Sequence, residues 1–142
     1  MYKRDFILRM IEMLGEVIAR ILGFISKGDF QQASQSIENA YNDFLKQDAA
    51  FFRAISKEKL TNELILKHNY TNGHLEILSE LYFAEAELLY AKNNLGESLE
   101  YYEKALLLNE FVLKESRSFS FEKQSKISYL QSRIGQLKGS IL

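Results

Sequence analysis

The residues of this chain that could carry chemistry are two histidines and a dense group of glutamates. His68 and His74 are six residues apart with a predicted loop between them, so they do not share one helix face as a two-histidine metal site requires. We interpret both as surface or loop histidines. The chain has no cysteine, which excludes disulfides, thiolate zinc sites and cysteine nucleophiles.

Nine glutamates face only three lysines between residues 71 and 116. A di-metal carboxylate bundle would need Glu-x-x-His pairs, and the sequence contains none. There is also no glycine-rich phosphate loop and no nucleophile elbow. We therefore expect solvated charged faces, no metal, no cofactor and no enzymatic activity. An unrecognised enzyme is kept as a remote alternative, because catalytic groups can meet from distant positions.

The segment from residue 117 to residue 142 carries five cations and one glutamate. A nucleic-acid patch is one interpretation, but five cations spread over about seven helical turns make a thin patch. We favour packing of this basic helix beside the acidic helices. The net charge of −1 gives no overall attraction to nucleic acids or anionic membranes, so neither is predicted as a partner.

The elements that position these residues are predicted to be helices. Apolar residues recur at three- and four-residue steps, and none of the 142 residues is a proline. Asp29 and Ser120 have the side chains of N-caps, and Gly28 suits a left-handed C-cap. Short helices are predicted at 49–55 and 60–68 in a less clear middle segment, and a loop at 69–73. The long helices are predicted at 2–26, 30–47, 75–91, 95–114 and from 121 onwards.

Two helix-turn-helix pairs are predicted within a single domain, residues 1–142. Their turns at Gly28 and Asn93 are 65 residues apart, which is close to twice the period of roughly 34 residues of a tetratricopeptide repeat. The stretch 84–109, AEAELLYAKNNLGESLEYYEKALLLN, is the clearest unit. The middle segment would then be a degenerate repeat between the two pairs.

The second pair resembles a tetratricopeptide repeat (TPR). The positions that match are an aromatic residue and a small residue in the first helix, followed by small, aromatic and alanine positions in the second: Tyr82, Ala86, Ser98, Tyr102 and Ala105. The first pair is a looser match, and the usual proline after the second helix is replaced by Glu110. The resemblance covers about half of the chain. It implies a short TPR-like α-α superhelix with a C-terminal capping helix.

The opening residues, Tyr2 to Glu12, resemble the start of an uncharacterised bacterial family that carries such repeats, and this resemblance brings no known activity. Charged residues recur through the same segment, at Asp5, Arg9 and Glu12, whereas a signal-peptide core is uncharged. The longest apolar stretch nearby, Ile21–Ile25, is far too short to span a bilayer. We therefore expect a cytoplasmic protein.

The resemblance also implies a binding face, because the first helix of each TPR pair lines the concave surface. The matching positions in the second pair are acidic and aromatic and suit a basic, apolar peptide: Glu80, Phe83, Glu87 and Tyr90. In the first pair they are Ile18, Leu22 and Ile25, which must be covered. Since these positions lack the Lys, Asn and Arg that clamp a C-terminal carboxylate, a chaperone-tail function is not predicted.

Either the C-terminal helix or a second copy could cover the apolar positions. The first helix is apolar on more than one face, so we predict a homodimer through Phe6, Met10, Met13 and Val17. Burial of this helix within one monomer is the alternative. The predicted function is a non-catalytic protein-binding adaptor or scaffold whose partner is a protein or peptide. A homo-oligomeric structural or regulatory protein, with its groove filled by its own helix or a second copy, is the second hypothesis.

Overall fold

The computed structural model describes residues 2–116 and 120–141. Within them the chain forms six α-helices, a 3₁₀ turn (Lys57–Lys59) and a π-helical segment (Asn62–Lys67). The α-helices are α1 (Tyr2–Ser26), α2 (Phe30–Leu45), α3 (Ala49–Arg53), α4 (Asn72–Ala91), α5 (Leu95–Ser116) and α6 (Phe121–Ile141). No described residue lies in a strand, so the predicted all-α class is confirmed.

The helix ends follow from local capping. The Asp29 carboxylate accepts the backbone N–H of Gln32 at 3.2 Å and begins α2, as predicted. Ser120 likewise accepts the backbone N–H of Lys123 at 3.2 Å at the start of α6. Gly28, with φ +77°, provides the left-handed residue that reverses the chain after α1. These caps explain why the predicted helix boundaries are accurate at these ends.

The loop predicted at 69–73 is shorter than expected. Thr71 is the N-cap of α4, and Asn72 and Gly73 already belong to the helix. The Thr71 hydroxyl accepts the backbone N–H of His74, while the His74 ring accepts the backbone N–H of Thr71 at 3.1 Å. A histidine therefore takes the place that Glu or Gln has in a usual capping box.

The middle segment does not form a degenerate helical repeat. It consists of the five-residue α3, the 3₁₀ turn and the π-helical segment, while α4 packs directly against both α1 and α2. The α1–α2 and α4–α5 pairs are thus immediate neighbours, and the segment between them is an insertion. The insertion covers the stack through apolar side chains of its own, since Phe52, Leu60 and Leu64 are fully buried.

The five positions that carry the repeat resemblance all lie in the contact between α4 and α5. Tyr82, Ala86, Ser98, Tyr102 and Ala105 are completely buried. The Ser98 hydroxyl donates to the carbonyl oxygen of Ala86 at 2.8 Å. Small side chains at 86, 98 and 105 allow the two helices to approach closely while the tyrosines fill the adjacent space. Membership of the TPR class itself stays a prediction.

Three helices run side by side in the same direction, with α4 between α1 and α6. Near their N-terminal ends Ile7 of α1 meets Gly73 of α4. Lys123 of α6 pairs with Glu76 near the start of α4, and Arg133 approaches Glu87 farther along. Helix α6 also packs on α5. Within the described residues, no helix is long and apolar enough to cross a membrane.

Candidate functional site

A series of side-chain contacts joins the acidic and aromatic face of α4 to α6. Glu76 pairs with Lys123 at 2.5 Å, and Glu80 pairs with Lys126 at 3.5 Å. The Lys126 ammonium also lies 3.5 Å from the centre of the Phe83 ring, a cation–π contact. The basic C-terminal helix thus packs beside the acidic residues, which is the arrangement we favoured over a nucleic-acid patch.

Nearer the C-terminal end of α4, the contacts centre on Glu87. Its carboxylate accepts the hydroxyls of Tyr102 and Tyr129, the latter at 2.8 Å, and Arg133 lies 3.8 Å away. Burial and the bond to this carboxylate raise the pKa of Tyr102 well above its usual value. The Arg133 guanidinium stacks 4.0 Å from the ring centre of Tyr90. All four predicted groove residues are therefore in contact with α6.

A trough remains open between α1 and α6, with α4 as its floor. It contains two cavities, of about 640 Å³ and 670 Å³, which share the lining residues Leu22, Glu122 and Lys126. Phe83 and Glu87 line the first cavity, and Glu80 lines the second. Both volumes fall within the range of ligand-binding clefts. The predicted groove is thus partly covered by α6 and partly accessible along α1.

The α1 wall of the trough is mainly apolar. Leu8, Ile11 and Leu22 line it together with the small residues Gly15 and Ala19, the buried Leu14 and Ile18, and one carboxylate, Glu12. Leu8 retains 51% of its exposure although it is a large aliphatic residue. A Cβ atom added to Gly15 would meet nothing within 4 Å, so packing within the monomer does not require glycine there. The sequence analysis placed Leu22 on this inner face as a position that must be covered, but it did not select Leu8 or Ile11.

The predicted oligomer residues lie on the other side of α1. Phe6 and Met13 are 58% and 54% exposed, whereas Met10 and Val17 are half-buried against the core. Ile18, one of the positions that had to be covered, is buried within the monomer, and Ile25 is half-buried. Helix α1 therefore has two apolar edges, one at the trough and one at Phe6 and Met13, on either side of a charged ridge.

The two histidines do not meet at a metal site. His68 is exposed, whereas His74 is half-buried in the capping box and stacks on Tyr70 with ring centres 4.9 Å apart. Burial lowers the pKa of His74. Within the described residues, no group of three or more His, Asp or Glu side chains could hold a metal ion. His74 therefore has a capping role that sequence reasoning missed.

A buried ion pair away from the trough holds the inserted segment to the stack. Arg53 of α3 donates to Glu85 of α4 at 2.7 Å through a terminal nitrogen and at 3.0–3.1 Å through Nε. The Tyr41 hydroxyl donates to the same carboxylate at 2.9 Å, and Glu38 accepts from Arg53 at 2.7 Å. No cavity accompanies this network among those described, so we assign it a structural role.

Comparison with family models, curated proteins and solved structures found no match to this chain. The function therefore has to be argued from the trough and its neighbouring surfaces.

Proposed function

We propose that this protein is a non-catalytic interaction module that binds a helical segment of another protein in the trough between α1 and α6. The observation that carries the proposal is the apolar wall of α1, where Leu8, Ile11 and Leu22 line an open cleft of helix-like length. Covering these apolar side chains with an apolar partner is favourable, because apolar surface is removed from water.

The shape of the cleft favours a helix over a small molecule. Leu8 and Leu22 are separated by fourteen residues of one helix, which corresponds to about 21 Å along its axis. A partner helix of four turns has this length, and helix-in-groove binding presents its apolar residues at three- and four-residue spacing. The small side chains of Gly15 and Ala19 let a partner backbone come close to α1.

A selection from displayed peptides tests this proposal. A library of sixteen-residue helical sequences is selected against the full chain, and the enriched peptides are measured with two variants. Gly15→Leu fills the trough, whereas Gly135→Leu adds the same side chain on an exposed part of α6, where nothing lies within 4 Å. We expect Gly15→Leu to weaken binding at least tenfold and Gly135→Leu to leave it unchanged. Absence of enrichment, or equal binding to both variants, would overturn the proposal.

We also propose self-association through the other edge of α1, because Phe6 and Met13 are each more than half exposed there. Light scattering across a dilution series tests it: a mass near twice the 16.5 kDa chain supports the dimer. Met13→Lys should then give a monomer. Leu66→Lys is the matched control, since Leu66 is 75% exposed on the inserted segment. A monomer at every concentration, or equal effects of the two substitutions, would sink this candidate.

A further inference from the structure

We infer that the helix received by the trough carries an apolar stripe flanked on both edges by lysine or arginine. This inference rests on the proposed function and specifies the chemistry of the partner. It follows from two carboxylates, Glu12 on α1 and Glu122 on α6, that face the same cavity from opposite walls.

These two carboxylates differ from the others in the trough. Glu76 and Glu80 on the floor are each neutralised by a lysine of α6. Glu12 and Glu122 are exposed, and within the described part of the chain neither has an ion pair or a side-chain hydrogen bond. One unpaired negative charge therefore remains on each wall, and the apolar side chains of α1 line the same cavity. A helix seated in the trough would bring both of its edges to these charges.

The chain already uses the same recognition on its neighbouring surface. Helix α6 is basic, and it sits on α4 by placing Lys126 against both Glu80 and the Phe83 ring. About two helical turns farther along α6, Arg133 makes the equivalent contacts with Glu87 and the Tyr90 ring. A second basic helix beside α6 would repeat this pairing of cations with glutamates. Continuity with the α4–α6 contact thus supports the same partner chemistry.

The charge arrangement also argues against other occupants. An acidic helix would bring carboxylates towards Glu12 and Glu122, and the two cations among the described lining residues, Lys123 and Lys126, are already engaged on the floor. Nucleic acid and anionic lipid surfaces would meet the same repulsion. A second copy that docked through its own trough edge of α1 would place its Glu12 against these like charges.

Two labelled synthetic helices of sixteen residues test the inference by fluorescence anisotropy. Both have leucines along one stripe and alanines on the back, and they differ only in flanking the stripe with lysine or with glutamate. We expect the lysine helix to bind the full chain at least tenfold more tightly, with a difference that shrinks as salt rises.

Variants of the two carboxylates provide the decisive comparison. Glu12→Gln combined with Glu122→Gln should weaken the lysine helix by about two- to tenfold, as expected for exposed charge pairs. Glu12→Lys combined with Glu122→Lys should reverse the preference in favour of the glutamate helix. Glu16→Gln, one turn from Glu12 on the outer ridge of α1, is the matched control and should change nothing.

Equal binding of the two helices, an unchanged preference in the lysine double variant, or the same loss with Glu16→Gln would overturn the inference. Enriched library peptides with acidic flanks that are still blocked by Gly15→Leu would also overturn it, and the proposed function would stand. If Gly15→Leu leaves all binding unchanged, the proposed function fails with it. A dimer abolished by Gly15→Leu but not by Met13→Lys would make a second copy the occupant and refute the inference.

Discussion

Replacement of Glu85 by alanine tests whether the inserted segment depends on one buried ion pair. The carboxylate accepts from Tyr41 at 2.9 Å and from Arg53 at 2.7 Å, and both donors lose this acceptor when the side chain is truncated. Tyr41 is completely buried, so its hydroxyl is left without an acceptor away from solvent. Arg53 is less affected by the truncation, because its side chain is 33% exposed and keeps its ion pair with Glu38.

The expected loss follows from these differences. An unsatisfied buried hydroxyl costs about 1–3 kcal/mol. Truncation of one member of a buried ion pair costs about 3–5 kcal/mol, and the exposure of Arg53 places this case at the lower end. We expect Glu85→Ala to lower the free energy of unfolding by about 3 kcal/mol, a large share of the roughly 5–15 kcal/mol of an ordinary domain.

A double-mutant cycle makes the prediction specific. Tyr41→Phe alone should cost about 1 kcal/mol, because one hydrogen bond is lost. The same substitution in the Glu85→Ala protein should cost nothing, because it removes a hydroxyl that already lacks an acceptor. Urea unfolding followed by circular dichroism measures all four proteins. Glu110→Ala, at an exposed position on α5, is the control and should stay within about 0.5 kcal/mol of the parent.

Two results would refute this reasoning. A loss below about 1 kcal/mol for Glu85→Ala would mean that the ion pair contributes no more than an exposed one. An equal cost of Tyr41→Phe in both backgrounds would mean that the hydroxyl and the carboxylate are not coupled, whatever the distance of 2.9 Å between them.

Three further predictions concern stability. Gly73→Ala should lower the free energy of unfolding in urea by about 1–2 kcal/mol, because the new Cβ would overlap Cγ2 of Ile7. Gly15→Ala should raise it by about 0.5–1 kcal/mol, and equal effects would contradict the close approach of α1 to α4. Lys104→Met should leave the free energy of unfolding unchanged or raise it. The lysine side chain is only 1% exposed, and its ammonium lies 3.8 Å from the Glu100 carboxylate and 3.4 Å from the Arg53 carbonyl oxygen, so its burial is weakly compensated. A clear loss would show that the ammonium stabilises the fold. Burial lowers the pKa of His74 below its usual 6.5, so below that pH the unfolded chain binds more protons than the folded chain, and the thermal midpoint should fall from pH 7.5 to pH 5.5. His74→Gln can keep the capping box and should make the thermal midpoint less dependent on pH. An unchanged pH dependence in this variant would exclude His74 as its source.

Only part of the candidate site was predicted from the sequence. Glu80, Phe83, Glu87 and Tyr90 were selected as inner-face positions because helical spacing places them on one side of α4. That spacing does not reveal what lies opposite, and the structure puts α6 against all four residues. On the α1 wall the sequence indicated Leu22 but not Leu8, since Leu8 has the same apolar character as its buried neighbours and only its exposure in the folded chain distinguishes it.

The sequence by itself determined the elements that depend on near neighbours. The three- and four-residue apolar spacing defined α1, and single side chains such as Asp29 and Ser120 defined where helices begin, because a cap bonds to a backbone group three residues away. The all-α class followed from the same local signals.

Only the tertiary structure decided which helices meet and which apolar edges stay exposed. Helix α4 packs on α1 and α2, and the pair that anchors the insertion to α4, Arg53 with Glu85, joins residues 32 positions apart. Contacts of this kind depend on how whole helices pack, and the apolar spacing within one helix does not specify which residues of another helix lie opposite. The open trough beside α6 is a consequence of that packing.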